Sequence, residues 1–311
     1  MAFDKVLNLH YFGDSLKACL VLAGGDIVIV REEQNPGEEQ IEIVGSVDAG
    51  ITAALWSPDE ELLAITTKED TLVFMSRNFE GITDIAMTSE DLKASNHVSV
   101  GWGKKETQFK GKGAKALRDP TMPEKIDEGV LSPNDDSRAT VSWRGDGAYL
   151  AVSTIEAASR RLIRVYSREG VLDSVSEPVD GLEGALSWRP AGNLIAGIQR
   201  VEDRVDVVFF ERNGLRHGQF SLRLTPKQIQ LPDQHISLSW NSDSTVMAVI
   251  LADSTQLWTM GNYHWYLKQE IKTNHSSLLS SNPIVWHPEK ALRLLTAASG
   301  KQLFIILKVP R

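Results

Sequence analysis

The sequence predicts an all-β fold in which short antiparallel sheets repeat along the chain, and three observations support this prediction. Tryptophans recur at intervals of 41 to 52 residues. They are Trp56, Trp102, Trp143, Trp188, Trp240 and Trp286. A tight turn and an apolar, β-rich run follow most of them, and no stretch sustains the 3.6-residue period of a long helix. Repeats of about 45 residues with three or four strands each are typical of a WD40-type β-propeller.

Each repeat predicts a strand, a turn and two further strands in that order. After Trp56, the residues Pro58 and Asp59 are of the types that fix turn geometry. Leu62–Ile65 then forms the predicted second strand, and Thr71–Met75 forms the third because it is rich in β-branched and aromatic residues. The same order follows most of the other tryptophans.

The first repeat has no tryptophan. A step of 46 residues back from Trp56 reaches His10, and the apolar runs Leu20–Leu22 and Asp26–Val30 follow it. The prediction is therefore about seven repeats in a single propeller that spans residues 1–311.

The repeated tryptophans are predicted to be structural, because every blade of a propeller must bury its face against the next blade. Trp265 lies outside the repeat position, in the aromatic cluster Gly261–Tyr266. For that cluster two interpretations stay open: a contact surface for a partner, or the outer strand of its blade.

Two irregularities interrupt the pattern. Trp102 begins the weakest repeat, and residues 104–137 are interpreted as a degenerate blade or as an insertion loop between blades. At the other end, the apolar run Phe304–Val309 has no outer strand after it. Because an open apolar edge promotes aggregation, we expect that the chain is a fragment with an incomplete ring or that the N-terminal segment supplies the closing strand.

Composition excludes several classes of protein. The formal net charge is −8, so a chain that coats DNA along its whole length is not expected. The single cysteine, Cys19, cannot form an internal disulfide and lies in an apolar run, which predicts core packing and a reducing compartment. No signal peptide or membrane-spanning run is present in the sequence, so we expect a soluble protein.

The sequence carries no pattern that is typical of a catalytic or metal site. The seven histidines lack metal-ligand spacing, and there is neither a nucleophile elbow nor a phosphate-binding loop. The acidic pairs Glu32-Glu33 and Asp135-Asp136 lie among turn residues, where they are interpreted as solvated. We therefore expect no enzyme activity, no cofactor and no metal.

A basic segment is the remaining candidate for a functional site. Residues 104–118 carry six positive charges against Glu106 alone. These candidate contact residues are Lys104, Lys105, Lys110, Lys112, Lys115 and Arg118. Such a segment can bind a phosphate backbone electrostatically, with an affinity that falls as salt rises. Three interpretations stay open for it: a nucleic acid contact, an acidic protein partner, or a solvated loop without a partner.

Several long runs resemble the family of the largest subunit of the Elongator complex, which is also called IKAP. They are Val100–Phe109, Ser142–Gly147, Tyr166–Leu172, Ser176–Pro190 and Val208–Gly218. The resemblance extends over most of the chain and is weakest at its two ends. It is more specific than the repeat of tryptophan, turn and apolar strand that any propeller shares.

The resemblance implies a first WD40-type propeller from a long scaffold that continues with a second propeller, helical repeats and a dimerising C-terminal part. It also implies a complex that modifies the wobble uridine of tRNA anticodons. The chemistry would belong to a different, catalytic subunit that uses an iron–sulfur cluster, S-adenosylmethionine and acetyl-CoA. Dimerisation and C-terminal tRNA contacts do not carry over, because the matching residues lie outside this chain.

Two functions are therefore expected from the sequence. The first is a non-catalytic scaffold that binds other Elongator subunits, including the catalytic one, and touches tRNA through its basic segment. The alternative is a generic WD40 adaptor that recognises a peptide or a phosphorylated protein. The expected location is the cytoplasm, with the nucleus as a second location, and no membrane partner is expected.

Overall fold

The structure is a computed structural model that describes residues 4–33, 39–91, 127–156, 158–230, 235–272, 284–298 and 303–308. These residues form six antiparallel sheets, which we call blades 1 to 6 in chain order. Blade 1 contains β1 (Val6–Phe12), β2 (Lys17–Leu22), β3 (Asp26–Arg31) and β4 (Ile41–Ser46). Blade 2 contains β5 (Ile51–Trp56), β6 (Leu62–Thr67), β7 (Thr71–Ser76) and β8 (Gly81–Ala86).

The remaining blades repeat this order. Blade 3 contains β9 (Thr140–Trp143), β10 (Tyr149–Glu156), β11 (Arg160–Ser167) and β12 (Leu172–Val175). Blade 4 contains β13 (Leu182–Trp188), β14 (Leu194–Val201), β15 (Arg204–Glu211) and β16 (Arg216–Ser221). Blade 5 contains β17 (Ser237–Trp240), β18 (Val246–Ile250), β19 (Ser254–Gly261) and β20 (His264–Lys272). Blade 6 contains β21 (Ile284–Trp286), β22 (Arg293–Ala298) and β23 (Leu303–Lys308).

Within blades 1 to 5, the first strand of each blade lies next to the first strand of the neighbouring blade. The strand β5 contacts both β1 and β9, and β13 contacts both β9 and β17. The middle strands of the inner blades are apolar on both sides because each of these blades is packed between two others, and every residue of β6 in blade 2 is buried. This arrangement is a β-propeller, so the predicted fold class is confirmed.

The predicted tryptophan core is present wherever the structure describes it. Each of five tryptophans ends the first strand of its blade and faces the preceding blade. They are Trp56, Trp143, Trp188, Trp240 and Trp286. The first four are at most 7% exposed. Trp143 also donates a hydrogen bond from its Nε1 to the carbonyl oxygen of Leu55, 3.1 Å away in blade 2. Trp102 lies outside the described residues.

The tryptophan position of blade 1 is Tyr11 and not His10. Tyr11 pairs with Ala18 seven residues later, which is the spacing that separates Trp56 from its partner Leu63. The predicted first repeat without a tryptophan is confirmed, and its equivalent position lies one residue after the one that the 46-residue step reaches, because the spacing between repeats varies. His10 instead turns toward blade 2, where its ring lies 4.8 Å from the Phe12 ring and 6.1 Å from the Trp56 ring.

Trp265 belongs to the outer strand of its blade, which was the second interpretation of the aromatic cluster. Its ring stacks on Phe209 at 5.0 Å and on Phe220 at 4.9 Å, and both phenylalanines belong to blade 4. It thereby extends the packing of Trp240, whose ring is 5.9 Å away. Its position is explained by contacts between two blades.

Blades 2 and 3 are direct neighbours, although the Trp102 repeat lies between them in the chain. The side chains of Leu62, Phe74, Trp143 and Leu150 form one buried cluster across their interface. Residues 104–126 lie outside the described residues, so neither interpretation of residues 104–137 is tested directly. The contact between β5 and β9 shows that blades 2 and 3 are adjacent, and both interpretations of residues 104–137 stay predictions.

The described residues show no closed ring. The open face of blade 1 carries two apolar rows, Leu9-Leu20-Val28-Ile43 and Tyr11-Ala18-Val30-Ile41, which run across all four strands. Leu9, Ile41 and Ile43 are each more than 60% exposed. Strand β1 pairs only within blade 1, and among the described strands β23 pairs only with β22. The expected closing strand from the N-terminal segment is therefore not seen in the described part of the chain.

Helical structure is minor in the described residues. The helix α1 (Pro226–Gln230) has one turn and connects blades 4 and 5. Among the residues that the structure describes, no helix has the length and apolar character needed to cross a membrane.

Candidate partner-binding face

One face of the propeller holds the ends of the basic segment, and we call it the anchor face. It is the side on which the first strand of a blade begins and its second strand ends, because these strands are antiparallel. In blade 3, Thr140 at the start of β9 pairs with Ser153 near the end of β10. In blade 4, Leu182 at the start of β13 pairs with Gln199 near the end of β14.

The predicted contact residues lie outside the described residues. They are Lys104, Lys105, Lys110, Lys112, Lys115 and Arg118. The structure instead places the residues on either side of them. Described residues end at Asp91 and resume at Asp127, and both ends lie on the anchor face of blades 3 and 4.

Arg164 holds the first end. This arginine is only 2% exposed, although it lies within strand β11. Its Nε donates a hydrogen bond to Oδ2 of Asp91 at 3.2 Å, and its Nη2 donates one to the carbonyl oxygen of Thr88 at 3.2 Å. A buried guanidinium requires such partners, because an unpaired charge in the core is costly. Residues 88–91 are thereby fixed to blade 3.

Asp180 holds the second end. Its Oδ1 accepts hydrogen bonds from three successive backbone N–H groups, those of Glu128, Gly129 and Val130, at 2.9 to 3.0 Å. The next residue, Gly181, has a φ of +72°, and a Cβ there would lie 2.0 Å from the carbonyl oxygen of Arg200. Glycine is therefore required directly after the carboxylate that holds this end.

Arg161 adds a buried ion pair to the second end. Its guanidinium forms two hydrogen bonds of 2.6 Å with the carboxylate of Asp135, and neither side chain is more than 1% exposed. The expectation that Asp135 is solvated was therefore wrong, because this loop residue is pulled into the protein by a buried arginine. A third bond from Nη1 reaches the carbonyl oxygen of Arg138 at 2.9 Å.

The two ends of the basic segment are held by neighbouring blades. Arg164 of blade 3 holds Asp91, and Arg216 of blade 4 donates a hydrogen bond to Asp127 at 2.9 Å. Ser89 and Gly129 line the same cleft, so the segment between Asp91 and Asp127 leaves and rejoins the propeller at neighbouring points.

A second buried ion pair stabilises the anchor face on blade 4. Arg200 Nε donates a hydrogen bond to Glu183 Oε1 at 2.6 Å, and Ser132 Oγ donates one to the same oxygen at 2.9 Å. Burial raises the pKa of Glu183, and Arg200 opposes that shift. Arg200 also donates to the carbonyl oxygen of Ile229, which ties α1 to the same face.

A small polar pocket lies beside the first strands of blades 3, 4 and 5. Its volume is about 210 Å³, and Asp136, Gly184 and His235 are among its lining residues. Burial alone would raise the pKa of Asp136, but hydrogen bonds from His235 and from the backbone of Arg138 hold it at about 2. A Cβ at Gly184 would lie 3.1 Å from Oδ1 of Asp136, so a larger residue there would require the Asp136 side chain to shift.

The opposite face is held by ion pairs between adjacent blades. Arg168 in the last turn of blade 3 lies 2.8 Å from the carboxylate of Asp59 in blade 2. Arg77 of blade 2 pairs with Asp14 of blade 1 in the same way. These ion pairs link neighbouring turns and are partly exposed, whereas two of the ion pairs of the anchor face are buried.

The described residues offer no metal cluster. Within the described ranges, no three His, Cys, Asp or Glu side chains lie together in a way that could hold a metal ion. Cys19 is fully buried, and burial raises the pKa of its thiol to about 11, which favours the unreactive form. The predicted core position of Cys19 is confirmed.

Sequence reasoning did not identify the arginines that build the anchor face. The signal was present as Arg161 directly before the apolar run Leu162–Tyr166 and Arg164 within it, where a charged residue must have a buried partner. The partners Asp91 and Asp135 lie far away in the sequence, so their pairing with the arginines was not visible there.

Comparison with known proteins identifies related chains. A family model described as "ELP1 first N-terminal beta-propeller" matches residues 1–289. The chain is 47% identical over 292 residues to Elongator complex protein 1 of Schizosaccharomyces pombe, a match that covers 93% of this chain. It is 46% identical to the Saccharomyces cerevisiae protein of the same name, over 96% of this chain, and 40% identical to that of Mus musculus, over 95%.

The chain spans about a quarter of the length of these relatives, since the matches cover 22 to 24% of them. Among solved structures, it resembles the Chaetomium thermophilum Sqt1 chain in a complex with the N-terminus of the ribosomal protein L10, with a TM-score of 0.54. That match has 14% sequence identity and covers 91% of this chain and 66% of the other. At this identity, the similarity supports the propeller fold alone.

Proposed function

The chain belongs to the Elongator complex protein 1 family, and on that basis we propose that it is a non-catalytic scaffold propeller of an Elongator complex. The observation that carries the proposal is the family match over residues 1–289, together with 40 to 47% identity over most of the chain. In this proposal the propeller supports wobble-uridine modification of tRNA by organising the catalytic subunit. Its partners are other Elongator subunits, and it works in the cytoplasm and also in the nucleus.

We propose further that the basic segment contacts tRNA. The support is the positive charge of residues 104–118 in a chain with a net charge of −8. The anchor-face contacts at Asp91 and Asp180 add to this support, because they fix the points from which the segment extends. A scaffold that holds a basic segment at a defined place can guide a phosphate backbone toward a neighbouring subunit.

A salt titration of tRNA binding tests this contact. We expect the fivefold alanine variant of Lys104, Lys105, Lys110, Lys112 and Lys115 to bind tRNA more weakly than the unchanged chain. If all five lysines contact phosphates, the slope of log affinity against log salt falls by about 4. Fluorescence anisotropy with labelled tRNA at several salt concentrations measures both quantities.

The matched control removes the same number of charges elsewhere. Five lysines that are exposed in the structure serve this purpose: Lys5, Lys68, Lys227, Lys272 and Lys290. Their combined change to alanine is expected to leave the slope nearly unchanged. An equal loss in both variants would mean that only overall charge matters, and the tRNA contact of the basic segment would then be wrong.

Co-purification tests the scaffold role separately. We expect the unchanged chain, co-expressed with the catalytic subunit and the other Elongator subunits, to be retained with them on an affinity column. The fivefold lysine variant should be retained equally well, because the scaffold contacts are proposed to be separate from the tRNA contact. A chain that folds but does not co-purify would contradict the scaffold proposal and favour the generic adaptor.

A further inference from the structure

An open cleft lies between the two ends of the basic segment. Its volume is about 450 Å³. Ser89 lies on the side where the chain leaves blade 3, and Glu128, Gly129 and Val130 lie on the side where it returns. The turn between β10 and β11 supplies Glu156, Ser159 and Arg160. No function proposed above uses this cleft.

Glu156 is the unusual residue of the cleft. Its side chain is 10% exposed, and neither carboxylate oxygen accepts a hydrogen bond from any residue that the structure describes. Buried carboxylates almost always have such partners, because dehydrating a charge without replacing its hydrogen bonds is costly. A cleft that contains a carboxylate of this kind has the main feature of a site for a cation.

The neighbouring donors are committed elsewhere. Arg164 Nη2 lies 3.8 Å from the Glu156 carboxylate, but it donates its hydrogen bond to the carbonyl oxygen of Thr88. The other two nitrogens of Arg164 also have acceptors: Nε donates to Asp91 and Nη1 donates to Thr154. Ser159 Oγ donates to the backbone carbonyl of Glu156 and not to its carboxylate. Arg160 Nη2 lies 4.0 Å away, beyond hydrogen-bond distance. The buried carboxylate thus has two guanidinium groups within ion-pair distance but no hydrogen-bond donor among the described residues.

We propose that this cleft binds a lysine side chain from a peptide segment of a protein partner, with Glu156 as the acceptor for its ammonium group. An ammonium group is compact and carries three donors, so it can approach a carboxylate that lies below the surface. The exposed carboxylate of Glu128 adds a second negative charge at the rim. Val130 is 60% exposed and offers an apolar surface for the methylene carbons of the lysine.

Anisotropy with a fluorescein-labelled tetralysine peptide tests the proposal on the complete 311-residue chain. We expect Glu156→Gln, which keeps the shape of the side chain and removes its charge, to weaken binding about tenfold. Arg160→Gln is expected to strengthen binding, because it removes a positive charge 4.0 Å from the acceptor. The two variants therefore predict changes of opposite sign, which a general loss of folding cannot imitate.

The matched control is Glu202→Gln, which removes an exposed carboxylate from the corresponding turn of blade 4. Equal affinities for the Glu156→Gln and Glu202→Gln variants would overturn the proposal, since binding would then depend on net charge alone. A tetralysine peptide acetylated on every side chain should not bind, and binding of that peptide would also overturn it. Tighter binding by the fivefold lysine variant would overturn the assignment to a partner and indicate that the chain's own lysines occupy the cleft.

Discussion

A few buried arginines determine how the anchor face is built. Arg161 and Arg164 are each at most 2% exposed, and each fixes a loop to strand β11. The free-energy cost of burying a guanidinium is offset only when a carboxylate pairs with it in good geometry. Asp135 does so through two hydrogen bonds of 2.6 Å to Arg161. The same pairing therefore orders the loop that carries the carboxylate.

Removal of the Asp135 carboxylate should be strongly destabilising. We expect Asp135→Ala to lower the free energy of unfolding by about 3–5 kcal/mol, because it leaves the Arg161 charge buried without its partner. Urea unfolding followed by tryptophan fluorescence measures this loss. The control is Asp146→Ala, whose carboxylate pairs with Arg144 and is 55% exposed, and there we expect less than about 1 kcal/mol. Similar losses for the two variants would contradict a special role for the buried pair.

Among individual residues, the sequence predicted the apolar positions better than the charged ones. Cys19 and Trp56 were expected in the core and are buried there, because an apolar residue needs only to be covered. Asp135 was expected in solvent, because its immediate neighbours are turn residues. Its true environment depends on Arg161, 26 residues away, and no local pattern reports such a contact.

At the level of strands and blades, the repeat could be recognised in the sequence because every blade packs against its neighbours with the same types of residue at the same positions. The first strand places an aromatic residue against the preceding blade, and the turn after it carries Asp59 or Asp146 three residues later. The same spacing relates Tyr11 to Asp14 in blade 1, which supports Tyr11 as the equivalent position. A step of 46 residues back from Trp56 reaches His10 and not Tyr11, because the loops between repeats vary in length while the blades keep the same strands.

The order of the blades was less predictable than the blades themselves. The Trp102 repeat suggested a further unit between blades 2 and 3, yet Phe74 and Trp143 are packed together across one interface. Trp102 lies outside the described residues, so the degenerate blade and the insertion loop both stay predictions. In the sequence, the complete set of apolar strands that follows the other tryptophans is not found after Trp102.

Considered as a whole, the described blades form an arc with an apolar face at its first end. Leu9 and Ile43 lie in one row of blade 1 and are 65% and 63% exposed. The equivalent face of blade 2 is buried, with Leu63 at 0% exposure. Contiguous apolar surface of this kind lowers solubility when it is left uncovered.

We expect the double variant Leu9→Lys, Ile43→Lys to change the free energy of unfolding by less than about 1 kcal/mol, because both side chains are exposed. It should also bind less of a hydrophobic dye and self-associate less, which fluorescence and sedimentation measure. The control Leu63→Ala should cost about 2–5 kcal/mol, because it opens a cavity between blades 1 and 2. Severe destabilisation by the lysine pair would show that this face is covered in the isolated chain.

Residues 92–126 are bounded by Asp91, which Arg164 of blade 3 holds, and by Asp127, which Arg216 of blade 4 holds, and these attachments set a limit on distance. A chain tied at two neighbouring points can extend outward by no more than half of its contour length, which is roughly 60 Å for a segment of this size. Any phosphate that its lysines grip must lie within that radius of blade 3. The length of this segment would thus limit which parts of an assembly its lysines can contact.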